Sequence, residues 1–420
     1  MVSVASVVVR FVPSFTTPPD SQPPLLAALG ILFLAIFTQT YTHSVLLSYF
    51  RLVLAVPGIY FFCDHGFGDY VAPLRGHCLG YALTAIVGSM RIIDTCVVSF
   101  FHAEPPKWIH FGGEKDGQMM PMPTTLRGRL TYAFDLLMSV RGPSLFGDRR
   151  WDWTPSSVVA HMRMALPRRA YLLEHAALLA GQYLMVDALE TLHTTHTWDT
   201  KLARPVTGDP TLSLPAQSMY AFAVCVETAL QITIPYTLIR IAFVLLGAAP
   251  SSWPAIFTAP FSATSLADFW TNRWHTLFRR CFNRLSLLPV TFAPKSQRKF
   301  LRVSTVFALS ALLHLGLVYR IPADEEHPHN PLIDTSTLKF FLSQPLGLLI
   351  ESALIHPLTR TLPEPVRTTM NRMWAWGWMF WCGRWWSDVW IGRGLWEPTE
   401  TLVGFSIVRG LWKGQWDVAF

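Results

Sequence analysis

Eight stretches of this 420-residue chain are apolar over about the thickness of a bilayer, and that leaves few folds open to it. They cover 25–39, 43–62, 78–101, 170–189, 217–247, 300–320, 338–356 and 373–390. In hydrocarbon every backbone N–H and C=O must be satisfied within the protein, so each stretch is predicted as a helix of about 20 residues. The first is short and the last is interrupted by Arg384, which gives about eight spans. Only 15% of the side chains are charged, against roughly 25% in soluble domains, and 51% are apolar. A disordered chain and an ordinary soluble domain are both excluded, and the expected class is an all-α polytopic membrane protein.

The basic residues are unevenly placed. Residues 102–169 carry ten Lys and Arg; residues 248–299 carry seven against one acid, Asp268. Residues 321–337 hold Asp324, Glu325, Glu326 and Asp334 and no Lys or Arg. Short cytosolic loops collect Lys and Arg, so the two basic loops are expected in the cytosol and 321–337 on the other side. The number of intervening spans agrees. The net charge of +7 therefore records orientation. Membrane lipid is the expected surrounding, and nucleic acid is not an expected partner, because base readout needs a basic module with its own fold.

The six cysteines are scattered without ligand spacing, so no disulfide framework or structural metal is expected. His193, His196, His327 and His329 read as solvated loop residues. Residues 1–24 lack the pattern of a cleavable signal. They are expected as a flexible segment ahead of a membrane domain over 25–396, with 397–420 as a tail.

Ionisable side chains inside a span are costly and usually face a protein interior or a hydrated cavity. Arg91 and Asp94 stand three apart on one helix face and are placed to pair. Glu174, His175 and Asp187 share one span, Glu227 and Arg240 another, and His314, Glu351 and His356 follow. Together they predict helices packed around a chamber. An enzyme with a buried site and a transporter both fit that description, although the matched broken repeats of many transporters are not visible.

The segment 265–280 opens with Ser265 and Asp268 in capping-box spacing. At ~100° per residue, Leu266, Phe269, Trp270, Trp274, Leu277, Phe278 and Cys281 make one apolar stripe, with Asp268, Asn272, His275 and Arg279 opposite. This predicts an amphipathic helix at the membrane surface, on which His275 is either a solvated anchor residue or a functional group. His314 stands in the apolar run Leu309-Ser-Ala-Leu-Leu-His-Leu-Gly316, with Ser310 one turn before it and placed to orient its ring. At that depth a histidine is either a packing residue or a reactive one.

Phe269-Trp-Thr-Asn-Arg-Trp-His275, followed by a membrane-embedded Leu-Leu-His314, resembles the paired signature of the membrane-bound O-acyltransferase family, in its fungal wax-synthase-like branch. Met90-Arg-Ile-Ile-Asp94, Ala133-Phe-Asp-Leu-Leu-Met-Ser-Val-Arg-Gly142 and Phe340-Phe-Leu-Ser-Gln-Pro-Leu-Gly-Leu-Leu-Ile-Glu351 resemble the same branch. The likeness runs over about residues 78–390. It implies many helices around a reaction chamber, acyl-CoA as co-substrate with no bound cofactor, a lipophilic alcohol as acceptor, and residence in the endoplasmic reticulum membrane. The embedded family histidine maps onto His314. His275 stands where sterol and diacylglycerol relatives often carry Asn, and Leu315 where some relatives carry Glu.

Ester formation from a thioester needs a base for the hydroxyl proton, stabilisation of the oxyanion and alignment of the two substrates. The resemblance gives the first role to His314 and the orientation of the thioester to His275 with Asn272. Arg273, Arg279 and Arg280 are candidates for the phosphates of coenzyme A, and Trp274 and Glu351 complete the expected substrate-binding set. Attack is expected to be direct, since no nucleophile elbow is present. Within the branch, acetyl transfer to terpenoids or other secondary metabolites is the expected activity, with fatty-alcohol wax-ester synthesis as the alternative.

Overall fold

Helices account for most of the described backbone. The computed structural model describes residues 22–69, 75–102, 104–194, 196, 206–274, 276–322, 332–397 and 403–416. In chain order these form α1 (Gln22–Gln39), α2 (Val45–Phe67), α3 (Arg75–Phe101), β1 (Trp108–His110), α4 (Leu126–Met138), β2 (Arg149–Trp151), α5 (Ser156–Arg163), α6 (Arg168–His193) and α7 (Leu214–Leu245). There follow α8 (Leu266–Asp268), α9 (Arg279–Leu285), α10 (Leu287–Thr291), α11 (Arg298–Arg320), α12 (Thr335–Thr359), α13 (Glu364–Ile391) and α14 (Ile407–Lys413). The short strands pair antiparallel, Trp108 opposite Trp151.

Polar side chains fix several helix starts. Ser44 accepts from the Leu47 N–H at 3.3 Å, Thr125 from Gly128 at 3.2 Å and Asp334 from Thr337 at 2.7 Å. Close helix approach needs glycine at position 66, where a Cβ would lie 2.2 Å from Ala85 Cβ and 2.9 Å from the Tyr81 carbonyl oxygen. Among the described residues six helices, α1, α2, α3, α7, α11 and α12, are long and apolar enough to cross a membrane. α6 and α13, of 26 and 28 residues, have the length but carry buried polar groups, among them Asp187, Glu190, Arg384 and Asp388. These eight helices match the eight apolar stretches.

The two basic loops meet at one end of the bundle. Arg141 donates to the carbonyls of Pro254 and Ala255 at 2.8 and 2.6 Å and to Thr276 Oγ1 at 3.0 Å, and Arg280 lies 5.0 Å over the Trp153 ring. At the opposite end Arg320 bonds the Gly66 and Gly68 carbonyls, Arg393 pairs with Asp334 at 3.1 Å, and Asp388 accepts from the Val206 and Thr207 N–H groups. Three apolar cores result among the described residues. One joins α1, α2 and the end of α3 to Trp108, Tyr132 and Trp151 of the first basic loop; a second lies among α3, α7, α9, α11, α12 and α13; a small third joins α6 and α7 to Val403.

Two expectations about polar groups need correction. Arg91 does not pair with Asp94: it donates to the Leu136 and Leu137 carbonyls, both at 2.6 Å, where the end of α4 leaves acceptors unpaired. His193 is not a solvated loop residue: it is 2% exposed, with Nδ1 3.3 Å from the Trp396 carbonyl oxygen, because the chain after α13 folds back over it. His196 pairs with Asp209 at 2.7 Å, and His327 and His329 lie outside the described residues.

Buried carboxylates of α6 hold the chain beyond α13. Asp187 accepts from Ser406 Oγ and, at 2.8 Å, from the Val408 N–H; Glu190 accepts from the Val403 N–H at 3.3 Å. Asp187→Ala leaves those donors without their partner, at about 1–3 kcal/mol each. The expected outcome is new protease cleavage within residues 403–416 while helix content stays unchanged, read by limited proteolysis and circular dichroism.

Candidate active site

The segment 265–280 is not one amphipathic helix. Ser265 Oγ accepts from the Asp268 N–H at 2.9 Å, as a cap should, but α8 lasts one turn. The chain then widens into a π turn over Phe269–Arg273, Trp274 leaves helical geometry at ψ 158°, and helix resumes only at Arg279. The Asp268 carboxylate sits inside this turn, accepting from the Thr264 N–H at 3.1 Å, Asn272 Nδ2 at 3.0 Å and Arg273 Nε at 2.5 Å. Burial pushes that carboxyl up, but the bonds from Asn272 and Arg273 outweigh it and leave it below its ordinary value. One carboxylate with three donors thus stands where apolar periodicity predicts a regular helical ladder.

Side chains from distant elements fasten the loop. Asp94 pairs with Arg280 at 3.0 Å and Arg284 at 2.8 Å. Glu351 accepts from the N–H groups of Leu266 and Ala267 at 2.6 and 3.0 Å. Trp270 Nε1 donates to Gln344 Oε1 at 3.2 Å, and Arg141, whose guanidinium burial pulls below its ordinary value, holds Pro254, Ala255 and Thr276. Asp94 and Glu351 each sit in a π turn, Ile93–Val98 in α3 and Glu351–Ile355 in α12. Such widened turns displace a side chain from the regular helical stripe and are frequent at functional sites. Each of the three supporting motifs quoted above therefore supplies a fastening to one loop.

Behind the loop lies a cavity of about 730 Å³ walled by α3, α7, α11, α12 and α13, a size that suits a sizeable small molecule. Arg279, Asn283 and Arg302 line its basic-loop end and Gly76, His77 and Trp396 the opposite end. His314 is on the wall between them, about 18 Å along α11 from Arg302. Its Nδ1 lies 2.7 Å from the Ser310 carbonyl oxygen, so the backbone of Ser310 orients the ring and its hydroxyl does not. The imidazole is stacked on Phe341, centroids 4.3 Å apart, and meets Trp386 edge-on at 5.1 Å. A carbonyl can only accept, so Nδ1 holds the proton of the neutral ring and Nε2 carries the lone pair.

The structure brings together some of the expected site residues and separates others. His314, Trp274 and Arg279 line the cavity. Arg279 also donates to the Thr271 carbonyl at 2.8 Å, and burial pulls its guanidinium below its ordinary value. His275 lies outside the described residues; Trp274 and Thr276, its neighbours in sequence, are both on the cavity wall. Asn272 and Arg273 are held on Asp268, Arg280 is turned to Asp94, and Glu351 to backbone N–H groups, so none of these four is on the wall. Arg302, Asn283, Phe341 and Trp386 were not singled out from sequence. Arg302 carried a signal, a basic residue one turn inside a span; the two aromatics are indistinguishable there from other packing residues. Among the described residues no three His, Cys, Asp or Glu come together as a metal site would need.

Comparison with known proteins adds an independent line. Residues 253–342, the stretch from the fastened loop into α12 that contains His275 and His314, match the model of the membrane bound O-acyl transferase family. The acetyltransferase ple2 of Rhodocybe pseudopiperita is 25% identical over 304 residues, 70% of this chain and 74% of that protein. The acetyltransferase ataH of Aspergillus terreus is 30% identical over 161 residues, 35% of this chain and 50% of its own length. The acetyltransferase eriL of Hericium erinaceus is 27% identical over 193 residues, 43% and 47%. The chain thus spans about half the length of two of these relatives and three quarters of the other. A helical bundle of membrane length, a walled chamber and the matched loop converge on one conclusion: the chain is an integral membrane enzyme whose residues 253–342 are similar to the membrane bound O-acyl transferase family.

Proposed function

We propose that the enzyme transfers an acetyl group from acetyl-CoA to the hydroxyl of a lipophilic alcohol, a terpenoid or other secondary metabolite, in the endoplasmic reticulum membrane. The observation that carries the reading is the tethered imidazole of His314 on the wall of an aromatic cavity at bilayer depth. Its Nε2 takes the hydroxyl proton as the alcohol oxygen attacks the thioester carbonyl. The tetrahedral intermediate collapses, the carbon–sulfur bond breaks, and the imidazolium returns the proton to the departing thiolate. His275, between two wall residues in sequence, is assigned to the thioester carbonyl, where a donor stabilises the oxyanion. The aromatic wall excludes water that would otherwise hydrolyse the donor. The acetyl group is favoured because the curated relatives above are named acetyltransferases.

Arg279 and Arg302, at the basic-loop end, are assigned to the phosphates of coenzyme A. Arg273 and Arg280 act by holding the loop. Arg279→Ala and Arg302→Ala are each expected to raise the KM for acetyl-CoA about 10- to 100-fold, the worth of a hydrogen bond to a charged group, with little change in the KM for the alcohol. Membranes containing the enzyme, supplied with labelled acetyl-CoA and a panel of hydroxylated terpenoids and fatty alcohols, test the activity directly. Labelled acetate esters are the expected product. Transfer only from long-chain donors to fatty alcohols would make it a wax-ester synthase, and solute uptake without ester would make it a transporter.

A further inference from the structure

Glu227 is a carboxyl side chain in the middle of α7, 5% exposed, on the wall of the same cavity as His314. Its surroundings do little for it. Gln231 Nε2 reaches Oε1 at 3.4 Å, the Trp396 side chain is a second weak donor to the carboxyl, and among the described residues no donor meets hydrogen-bond geometry at Oε2. The acidic group nearest in its electrostatics is Glu190, a like charge, and the arginine of the same helix, Arg240, is about 20 Å away. A buried carboxyl with an unused oxygen is expensive, and each such group in a native structure calls for an explanation. In a membrane span the cost is higher again, and such residues mark substrate paths. Around it the wall is otherwise largely aromatic and aliphatic, but Thr228 and Gln231 continue a polar strip along the same helix.

We propose that Glu227 recognises the acceptor: it accepts a hydrogen bond from a second hydroxyl group, so that the enzyme prefers lipophilic diols to mono-alcohols. The proposal rests on the acceptor-binding role given to this cavity above. One hydroxyl goes to His314 for reaction and the other to Glu227 for placement, with Gln231 available to donate to the same oxygen. Glu227 is a specificity residue in this scheme and takes no part in proton transfer.

The test uses purified full-length enzyme, α,ω-alkanediols of six to fourteen carbons and the matching primary mono-alcohols. Binding is read by thermal stabilisation in detergent, and acetyl transfer by labelled product. Diols near one chain length are expected to bind about 10- to 100-fold more tightly than their mono-alcohols, the discrimination one buried hydrogen bond supplies. Glu227→Gln, which keeps an accepting oxygen, should retain most of that advantage; Glu227→Leu should lose it while binding mono-alcohols as the parent enzyme does. His314→Ala should keep the binding advantage and lose transfer. No diol advantage in the parent enzyme, or an advantage that survives in Glu227→Leu, overturns the proposal. If Glu227→Leu does not purify as a folded protein, Glu227→Met, which fills the space without a carboxyl oxygen, takes its place and is likewise expected to lose the diol advantage. A binding advantage without any acetyl transfer by the parent enzyme would instead overturn the catalytic reading and leave Glu227 as a ligand contact.

Discussion

His314→Ala is expected to lower acetyl transfer by about 10²- to 10⁴-fold, the usual contribution of a positioned general base, while the protein still inserts and purifies. The ring makes one hydrogen bond, to a carbonyl of its own helix, and stacks on Phe341 and Trp386. Its loss therefore costs packing of the order of a few kcal/mol and strands no charge. His314→Gln separates the two roles, since Gln fills the space and has no basic nitrogen. Both variants should bind acetyl-CoA with unchanged affinity. A His314→Gln enzyme that makes ester at the parent rate would remove His314 from the chemistry.

Asp94→Ala is expected to be equally damaging by a different route. The carboxylate is buried and bridges Arg280 and Arg284, and its removal leaves two partly buried guanidinium groups without their anion. Breaking a buried ion pair from one side costs about 3–5 kcal/mol. The expected result is a large drop in thermal stability, or recovery of little folded protein, in fluorescence-detected size-exclusion profiles. The double variant Asp94→Ala with Arg280→Leu should regain part of the stability, because one stranded charge has been removed. An Asp94→Ala protein as stable as the parent would show that the bridge does not hold the loop.

The spans were legible because hydrocarbon tolerates little else: all eight apolar stretches became long helices, and the two basic loops gathered at one end. The loop was not. Periodicity over 265–280 reported which residues are buried, but backbone path there is set by Asp268, Glu351 and Gln344, whose partners lie up to 85 positions away in sequence. Arg91 and Asp94 illustrate the same limit. Spacing on one helix face made them neighbours, yet the π turn and the open carbonyls of α4 offered each a better partner. Arg280 looked like a phosphate ligand because charge on a loop carries no direction; only the fold shows it turned to Asp94. The place of His314 on a cavity wall, by contrast, was legible, because an ionisable ring in so apolar a run usually faces a protein interior.

The fastenings of the loop have a consequence for biogenesis. Asp94 and Arg141 leave the ribosome before residues 253–285, but Gln344 and Glu351 leave after them. A nascent chain halted between positions 320 and 340 already contains both histidines and most of the arginines, yet lacks the two groups that hold Trp270, Leu266 and Ala267. Folding of the loop must therefore wait for the chain through Glu351, so stalled or prematurely terminated products hold the proposed catalytic histidines in an unassembled site and are expected to leave cellular thioesters untouched.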